Sequence, residues 1–303
     1  MVKFHEPVLL NEVIKYLAVK KDGKYIDATV GGGGHAKEVC QFKGQLLGLD
    51  VDPEALNSAR EYLTTACPVP MLSRGSNASW RLVSGNFKDL KQIALNNDFA
   101  KVDGILFDLG VSSHQLESPE RGFSFQSEAP LDMRMDPNLA VTAQDLVNGL
   151  TQKELEKLFW GMSQEYHFKR LAKAIVESRR LKPIKTGREL SEIIIKAIGR
   201  GKSKIHPATK VFQALRMIVN DEMNNLRQAL PQALELLNDS GRLVIISFHS
   251  GEDRIAKQFF KNGEEQSRLK ILTAKPIGPT LEEIKQNPRS RSAKLRAAEK
   301  TNK

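Results

Sequence analysis

Along the first third of the chain, two spacings of apolar residues alternate. Residues 7–17 place Val8, Leu9, Val13, Ile14 and Leu17 at helical intervals. Residues 24–30 form a short β-rich run that stops at four glycines, Gly31 to Gly34. Residues 35–42 read as a helix, 45–50 as a second buried strand, and 53–63 as a second helix with Pro53 in its first turn. A third strand is expected at 81–83 and a fourth at 102–108. This alternation predicts a parallel α/β sheet. It ends after Gly110. Residues 112–137 are rich in Ser, Pro, Glu and Gly, and from 142 to 199 every periodic segment is helical: 143–150, 152–159, 168–179 and 188–198. A long helix over 210–237 then leads to a last strand at 241–248. Two sequential domains would leave that strand without a sheet, so the pattern predicts an α/β domain interrupted by an all-helical insertion. The expected division is 1–113 and 212–283 for the α/β domain, 114–211 for the helical substrate-recognition insertion, and 284–303 for a tail.

Composition excludes several classes. No apolar run approaches the roughly 18–20 residues that cross a bilayer, and the first residues lack a basic-then-apolar secretion pattern. Cys40 and Cys67 are too few for a disulfide framework or a zinc cluster. The expected location is the cytoplasm. Lys and Arg total 46 against 36 Asp and Glu, a net charge of +10 that favours polyanionic partners. The tail concentrates this excess: Lys285, Arg289, Arg291, Lys294, Arg296, Lys300 and Lys303 against Glu299. Its serines and Pro288 suggest a flexible arm.

A glycine run between strand and helix lets backbone approach a ligand and aims N–H groups at it. Dinucleotide enzymes use the same device. Asp50, at the tip of the second strand, is placed to accept hydrogen bonds from ribose hydroxyls, again in either class. Asp108 ends the fourth strand, and with the following loop it should face the same crevice as Gly33 and Asp50.

These residues belong to a longer set. His5-Glu6-Pro7-Val8-Leu9-Leu10, Gly33-Gly34-His35, Asp108-Leu109-Gly110-Val111-Ser112-Ser113 and Pro130-Leu131-Asp132-Met133-Arg134-Met135-Asp136 occur in order. His206-Pro207-Ala208-Thr209, Phe212-Gln213-Ala214-Leu215-Arg216, Ser247-Phe248-His249-Ser250 and the run from Arg289 to Arg296 follow. Over nearly its whole length the chain resembles the bacterial 16S ribosomal RNA cytosine-N4 methyltransferases, the MraW or RsmH family. The resemblance implies a Rossmann-like S-adenosylmethionine-dependent methyltransferase with an inserted helical domain, acting on a cytidine in the decoding region of the small subunit. It places cofactor contacts at Gly33, Gly34, His35, Asp50, Phe87, Asp108 and Gln115. Arg134, His249, Arg254, Arg289, Arg291, Lys294 and Arg296 are the substrate-side candidates. Two departures stand out: Gly251 where the family has Leu, and a stretch from Cys67 to Trp80 longer than the family needs, read as a surface insertion.

The cytosine amine is a poor nucleophile, so the enzyme needs positioning and an acceptor for its N–H. Asp108 is the candidate for that task, and no metal or membrane is expected. The base must be unpaired or flipped, with Arg121, Lys169, Arg170, Lys173, Arg179, Arg180 and Lys182 of the insertion as further phosphate candidates. Gly33 and Gly34 are expected to carry the cofactor contact, with Gly31 and Gly32 shaping the turn. His35 has an equally good reading as a capping or packing residue, as does His249 as a structural one. Competing functions are methylation of DNA amines, nicotinamide-dependent oxidoreduction and non-catalytic RNA binding. The oligomeric state stays open.

Overall fold

A computed structural model describes residues 7–67, 80–112, 115–116, 118–200 and 206–302. His5-Glu6, Ser113-His114 and positions 68–79 of the expected surface insertion lie outside them. In chain order the strands are β1 (Lys24–Asp27), β2 (Gln45–Asp50), β3 (Trp80–Ser84), β4 (Val102–Asp108), β5 (Leu237–Ser247), β6 (Leu269–Ile271) and β7 (Lys294–Lys300). Among the described residues they form one sheet in the order β3-β2-β1-β4-β5-β7-β6. The first five run parallel, and β7 is antiparallel to both β5 and β6. Strand order reverses between β1 and β4. The carboxyl ends of those two strands therefore flank the crevice where such sheets bind ligands.

The helices are α1 (Leu10–Leu17), α2 (Gly34–Gln41), α3 (Pro53–Ala66), α4 (Leu90–Asn96), α5 (Ala143–Gly149), α6 (Gln152–Ser163), α7 (Phe168–Leu181), α8 (Gly187–Ile198), α9 (Thr209–Val219), α10 (Glu222–Leu236), α11 (Ser250–Glu265) and α12 (Leu281–Gln286). The chain divides into two compact units, 1–112 with 223–303, and 113–222.

In the first unit, strand alternation sorts side chains between two helical layers. Ile26, Leu47, Leu49, Ile105, Phe107, Leu243 and Ile245 pack with residues of α4, α10 and α11. The residues between them face the other way. Tyr25 and Leu46 pack with α2 and α3, and Leu106, Val244, Ile246, Leu295 and Ala297 with α1.

The second unit is helical, and α5, α6 and α8 each open with a capping box, Thr142/Asp145, Thr151/Glu154 and Thr186/Glu189. Each satisfies two otherwise orphaned N–H groups. Helix α9 packs on α6, α6 on α7 and α7 on α8. The expected helix over 210–237 is two helices. They break at Asn220-Asp221, where Asp221 takes a left-handed φ of 49°. The Asn220 amide donates to the Met133 carbonyl at 2.8 Å and accepts from the Met135 N–H at 2.7 Å. Packing of α9 on α6 puts the boundary of this unit after Glu222, eleven residues beyond the expected 211.

The tail is the larger correction. The described residues of the expected tail, 284–302, do not form a flexible arm: they complete α12, make a 3-10 turn over Pro288–Ser292, and continue as β7 inside the sheet. Its buried positions explain why the basic composition misled. Leu295, Ala297 and Ala298 are fully buried, Arg296 between them is held by Asp253, and Glu299 pairs with Arg242 of β5.

Candidate functional site

The crevice between β1 and β4 is built from strand ends that hold one another. The Asp108 N–H donates to Thr29 Oγ1 at 2.7 Å, and the Thr29 N–H donates to Asp27 Oδ1 at 3.1 Å. Beyond Thr29 the four glycines differ in what requires them. Gly31 (φ 50°) donates its N–H to Asp50 Oδ2 at 3.0 Å, tying the loop to the tip of β2. Gly33 (φ 84°) caps α2, and a Cβ there would touch Ala59 at 3.4 Å. A Cβ on Gly34 would lie 3.1 Å from three atoms of the Pro7 ring. Packing and backbone conformation thus account for glycine at 33 and 34. Gly32 has neither constraint, and a Cβ added to it would meet nothing within 4 Å. The open face of the loop lies at the residue expected only to shape the turn.

Asp50 accepts from the N–H groups of Gly31 and Asp52, both at 3.0 Å. Burial nonetheless raises its carboxyl to about 6. Phe87, in a 3-10 turn capped by Asn86, meets the ring of Phe107 edge-on at 5.7 Å. Phe87 is itself partly exposed, as an apolar wall for a ring requires.

Around Asp108 the structure gathers groups that the sequence did not single out. Burial raises Asp27 to about 7, opposed by the Thr29 hydrogen bond and reinforced by the charge of Asp50. Asp108 is held well above the ordinary carboxylate range, first by burial and then by the negative charges of Asp27 and Glu252. Its Oδ1 is buried and has no hydrogen-bond partner among the described residues. Its Oδ2 lies 3.6 Å from His35 Nδ1, too far for a hydrogen bond. The His35 ring is buried with Nε2 3.0 Å from the Val8 carbonyl, so Nε2 carries a proton and Nδ1 faces Asp108.

His249 caps α11: its Nδ1 accepts from the N–H groups of Gly251 and Glu252, while Glu252 Oε2 accepts from Phe248 and His249 N–H. Nδ1 is therefore unprotonated and Nε2 is the N–H. That atom is buried, 3.2 Å from Glu252 Oε1 but not aligned as a hydrogen bond. Gly251, the departure from the family pattern, packs against the His249 ring, where a Cβ would come to 3.0 Å of Nδ1.

The remaining candidates divide clearly. Gln115 is buried in the helical unit. The Arg134 guanidinium is engaged within the helical unit: it grips Asp132 through two hydrogen bonds of 2.8 and 2.7 Å and donates to the Pro137 and Leu139 carbonyls. Arg296 is likewise withdrawn, 8% exposed and bonded to Asp253 at 2.7 Å. Lys294 reaches the same carboxylate at 3.7 Å. Arg254, Arg289 and Arg291 lie on the surface. Of the further candidates, Arg121 and Arg179 are spent on backbone carbonyls and Lys182 on Glu189, whereas Lys169, Arg170, Lys173 and Arg180 are exposed. Asp27 and Glu252 were missed. Asp27 stands four residues before the glycines and Glu252 three after His249, spacings that could have flagged both.

Chemically, Asp27, Asp50 and Asp108 are buried acids whose protonation is favoured by burial and by neighbouring negative charge, Asp50 acting on Asp27, and Asp27 and Glu252 on Asp108. A cation brought near would relieve that repulsion, whereas a pyrophosphate would add to it. The sheet also departs from the dinucleotide-binding order 3-2-1-4-5-6 by its antiparallel β7.

The sequence profile of the MraW methylase family matches residues 2–301. Three curated relatives share the name ribosomal RNA small subunit methyltransferase H. The protein of Thermomicrobium roseum is 45% identical, covering 98% of this chain and 93% of its own. That of Carboxydothermus hydrogenoformans is 44% identical (98% and 97%), and that of Clostridioides difficile 43% (98% and 98%).

Proposed function

The chain belongs to the MraW methylase family, and from that premise we propose that it transfers a methyl group from S-adenosylmethionine to the N4 amine of a cytidine in the decoding region of 16S ribosomal RNA. The relatives' shared name supports methylation of small-subunit ribosomal RNA. The carrying observation is the acid cluster beside the glycine loop, in which burial raises Asp27, Asp50 and Asp108 together. It suits a cationic sulfonium attached to a ribose and disfavours a dinucleotide.

The residues fit that cosubstrate. The open side of Gly32 leaves room for it, Asp50 keeps lone pairs for ribose hydroxyls, and Phe87 offers its ring to adenine. When bound, S-adenosylmethionine supplies a methyl electrophile on positively charged sulfur. Asp108 ionises more readily beside such a charge. Its unpartnered Oδ1 then accepts a hydrogen bond from the cytosine amine, which localises the nitrogen lone pair and aligns it. In the transfer the N–C bond would form as the methyl–sulfur bond breaks, leaving a neutral thioether, and the amine would give up a proton to the Asp108 carboxylate and from there to solvent. Gly110 (φ 106°) holds the loop after β4 against Phe248, fixing the backbone on the substrate side of Asp108. That loop reads Asp108-Leu109-Gly110-Val111, not the Asn/Asp-Pro-Pro-aromatic sequence of DNA-amine enzymes. Such a substrate places the protein in the cytoplasm, where small subunits are assembled.

Mass spectrometry of ribosomal RNA from cells with and without the gene tests the reading. Loss of one N4-methylcytidine is expected. An unchanged modification pattern, or micromolar binding of NAD with none of S-adenosylmethionine by calorimetry, would overturn it.

A further inference from the structure

The helical unit exposes an aromatic cluster that the chemistry at Asp108 does not use. Trp160, near the end of α6, is 49% exposed, and Tyr166, at the tip of the turn joining α6 to α7, is 77% exposed. The two rings stand 6.1 Å apart at 68°, and Phe168 lies 5.5 Å from Trp160 on the opposite flank of the turn's sequence. Leaving rings of this size in water forgoes considerable apolar burial, and a contiguous exposed apolar patch marks an interaction site.

The turn that presents them is rigidly made. Gln164 ends α6 in the left-handed conformation (φ 51°). The buried Glu165 accepts the His167 N–H on its side chain at 2.8 Å and the Phe168 N–H on its carbonyl at 3.2 Å. Tyr166 is thereby held outward between two fixed neighbours. Cations surround the rings. Lys210 Nζ lies 5.0 Å from the Tyr166 ring centroid, and Lys169 Nζ 5.8 Å from that of Phe168. Lys157 sits one helical turn before Trp160. A second copy of this chain would bring the same positive charges to the patch. Unpaired bases on a phosphate chain would bring π-faces to the rings and negative charge to the lysines.

We propose that Trp160 and Tyr166 form a stacking platform for unpaired bases of the RNA substrate, with Lys157, Lys169 and Lys210 contacting the adjoining phosphates. The inference rests on the RNA-methyltransferase reading for its substrate, but binding can be measured apart from catalysis. The probe is a fluorescein-labelled octauridylate titrated with the full-length protein by anisotropy at several salt concentrations. Replacing Trp160 or Tyr166 by Ala should weaken binding about 5- to 150-fold per lost stack with the salt slope unchanged, because stacking carries no charge. Tyr166→Phe should restore it. Lys210→Ala should instead flatten the slope by about 0.7. If Trp160→Ala unfolds the protein, Tyr166→Ala at the exposed tip gives the same readout.

Affinity within twofold of wild type for the Trp160/Tyr166 double variant, with thermal melting unaltered, overturns the platform. So does a change in sedimentation showing that the rings hold a second copy. A wild-type protein that methylates no small-subunit RNA defeats the substrate reading instead, and ring-dependent oligonucleotide binding would still support the platform.

Discussion

Replacing Asp27 by Asn is expected to stabilise the protein in a strongly pH-dependent way. Asp27 is 2% exposed, and burial lifts its carboxyl to about 7, against about 3.9 in an unfolded chain. The folded state therefore holds the proton more tightly than the unfolded one. Stability from this group is fully present below about pH 4 and is lost as pH rises through 7. At about 1.36 kcal/mol per unit, the loss is on the order of 1.5 kcal/mol at pH 5 and 4 kcal/mol above pH 8. Asn keeps the oxygen that accepts the Thr29 N–H but cannot ionise. Its extra amide N–H groups, if unsatisfied, cost about 1–3 kcal/mol at every pH. The informative quantity is thus the difference between conditions: the variant should gain roughly 2.5 kcal/mol on wild type between pH 5 and pH 8.5 in urea unfolding. Because the Asp27 charge also helps raise Asp108, the acid limb of the methylation profile should move to lower pH in the same variant. A wild-type-to-variant difference that stays constant across that range would refute the account of Asp27 as a buried, proton-holding acid.

Asp108→Asn should lower turnover roughly 10²- to 10⁴-fold while S-adenosylmethionine binding, by calorimetry, changes less than about tenfold; unchanged turnover would remove Asp108 from the chemistry. Gly32→Ala should leave thermal melting unaffected yet weaken S-adenosylmethionine roughly tenfold, since its added methyl enters open space on the ligand side. Gly34→Ala should do the reverse, costing about 1–3 kcal/mol of stability against the Pro7 ring. Arg296→Met leaves Asp253 without its close partner and should cost about 3 kcal/mol, with octauridylate affinity unaltered; a large loss of RNA affinity in a stable variant would return Arg296 to the RNA-contacting set.

Much of this was legible in the sequence, for physical reasons that differ by element. Strands β1, β2 and β4 read clearly because parallel strands covered on both faces are near-continuous apolar runs. The helices of the second unit read clearly because three carry Thr-x-x-Asp/Glu caps ahead of an apolar stripe. Strand β7 did not. Its apolar positions are Leu295, Ala297 and Ala298, and small alanines between charged residues resemble a solvated tail until Asp253 and Glu299 are seen to hold Arg296 and Arg242. In the site, Asp50 and Asp108 followed from their places at strand tips. Asp27 was hidden because the β-rich run was read on to residue 30, whereas the strand ends at Asp27 itself, and Glu252 because its capping role depends on where the preceding His249 turns. Arg134 and Arg296 show the converse: a charge in a motif identifies a position, not whether its donors are already engaged.

The place of β7 also governs the order in which the molecule can assemble. It lies between β5 and β6, yet residues 294–300 follow every other strand in the sequence. During synthesis, β5 is translated and can join β4 while its far edge still has open N–H and C=O groups, and β6 has no neighbour at all. Such an edge invites pairing with other chains, and closing it depends on contacts distant in sequence, which form slowly. Nascent chains halted before residue 294 should therefore be protease-sensitive around residues 237–271 and prone to aggregate, and protection should arrive in one step once the final strand has emerged.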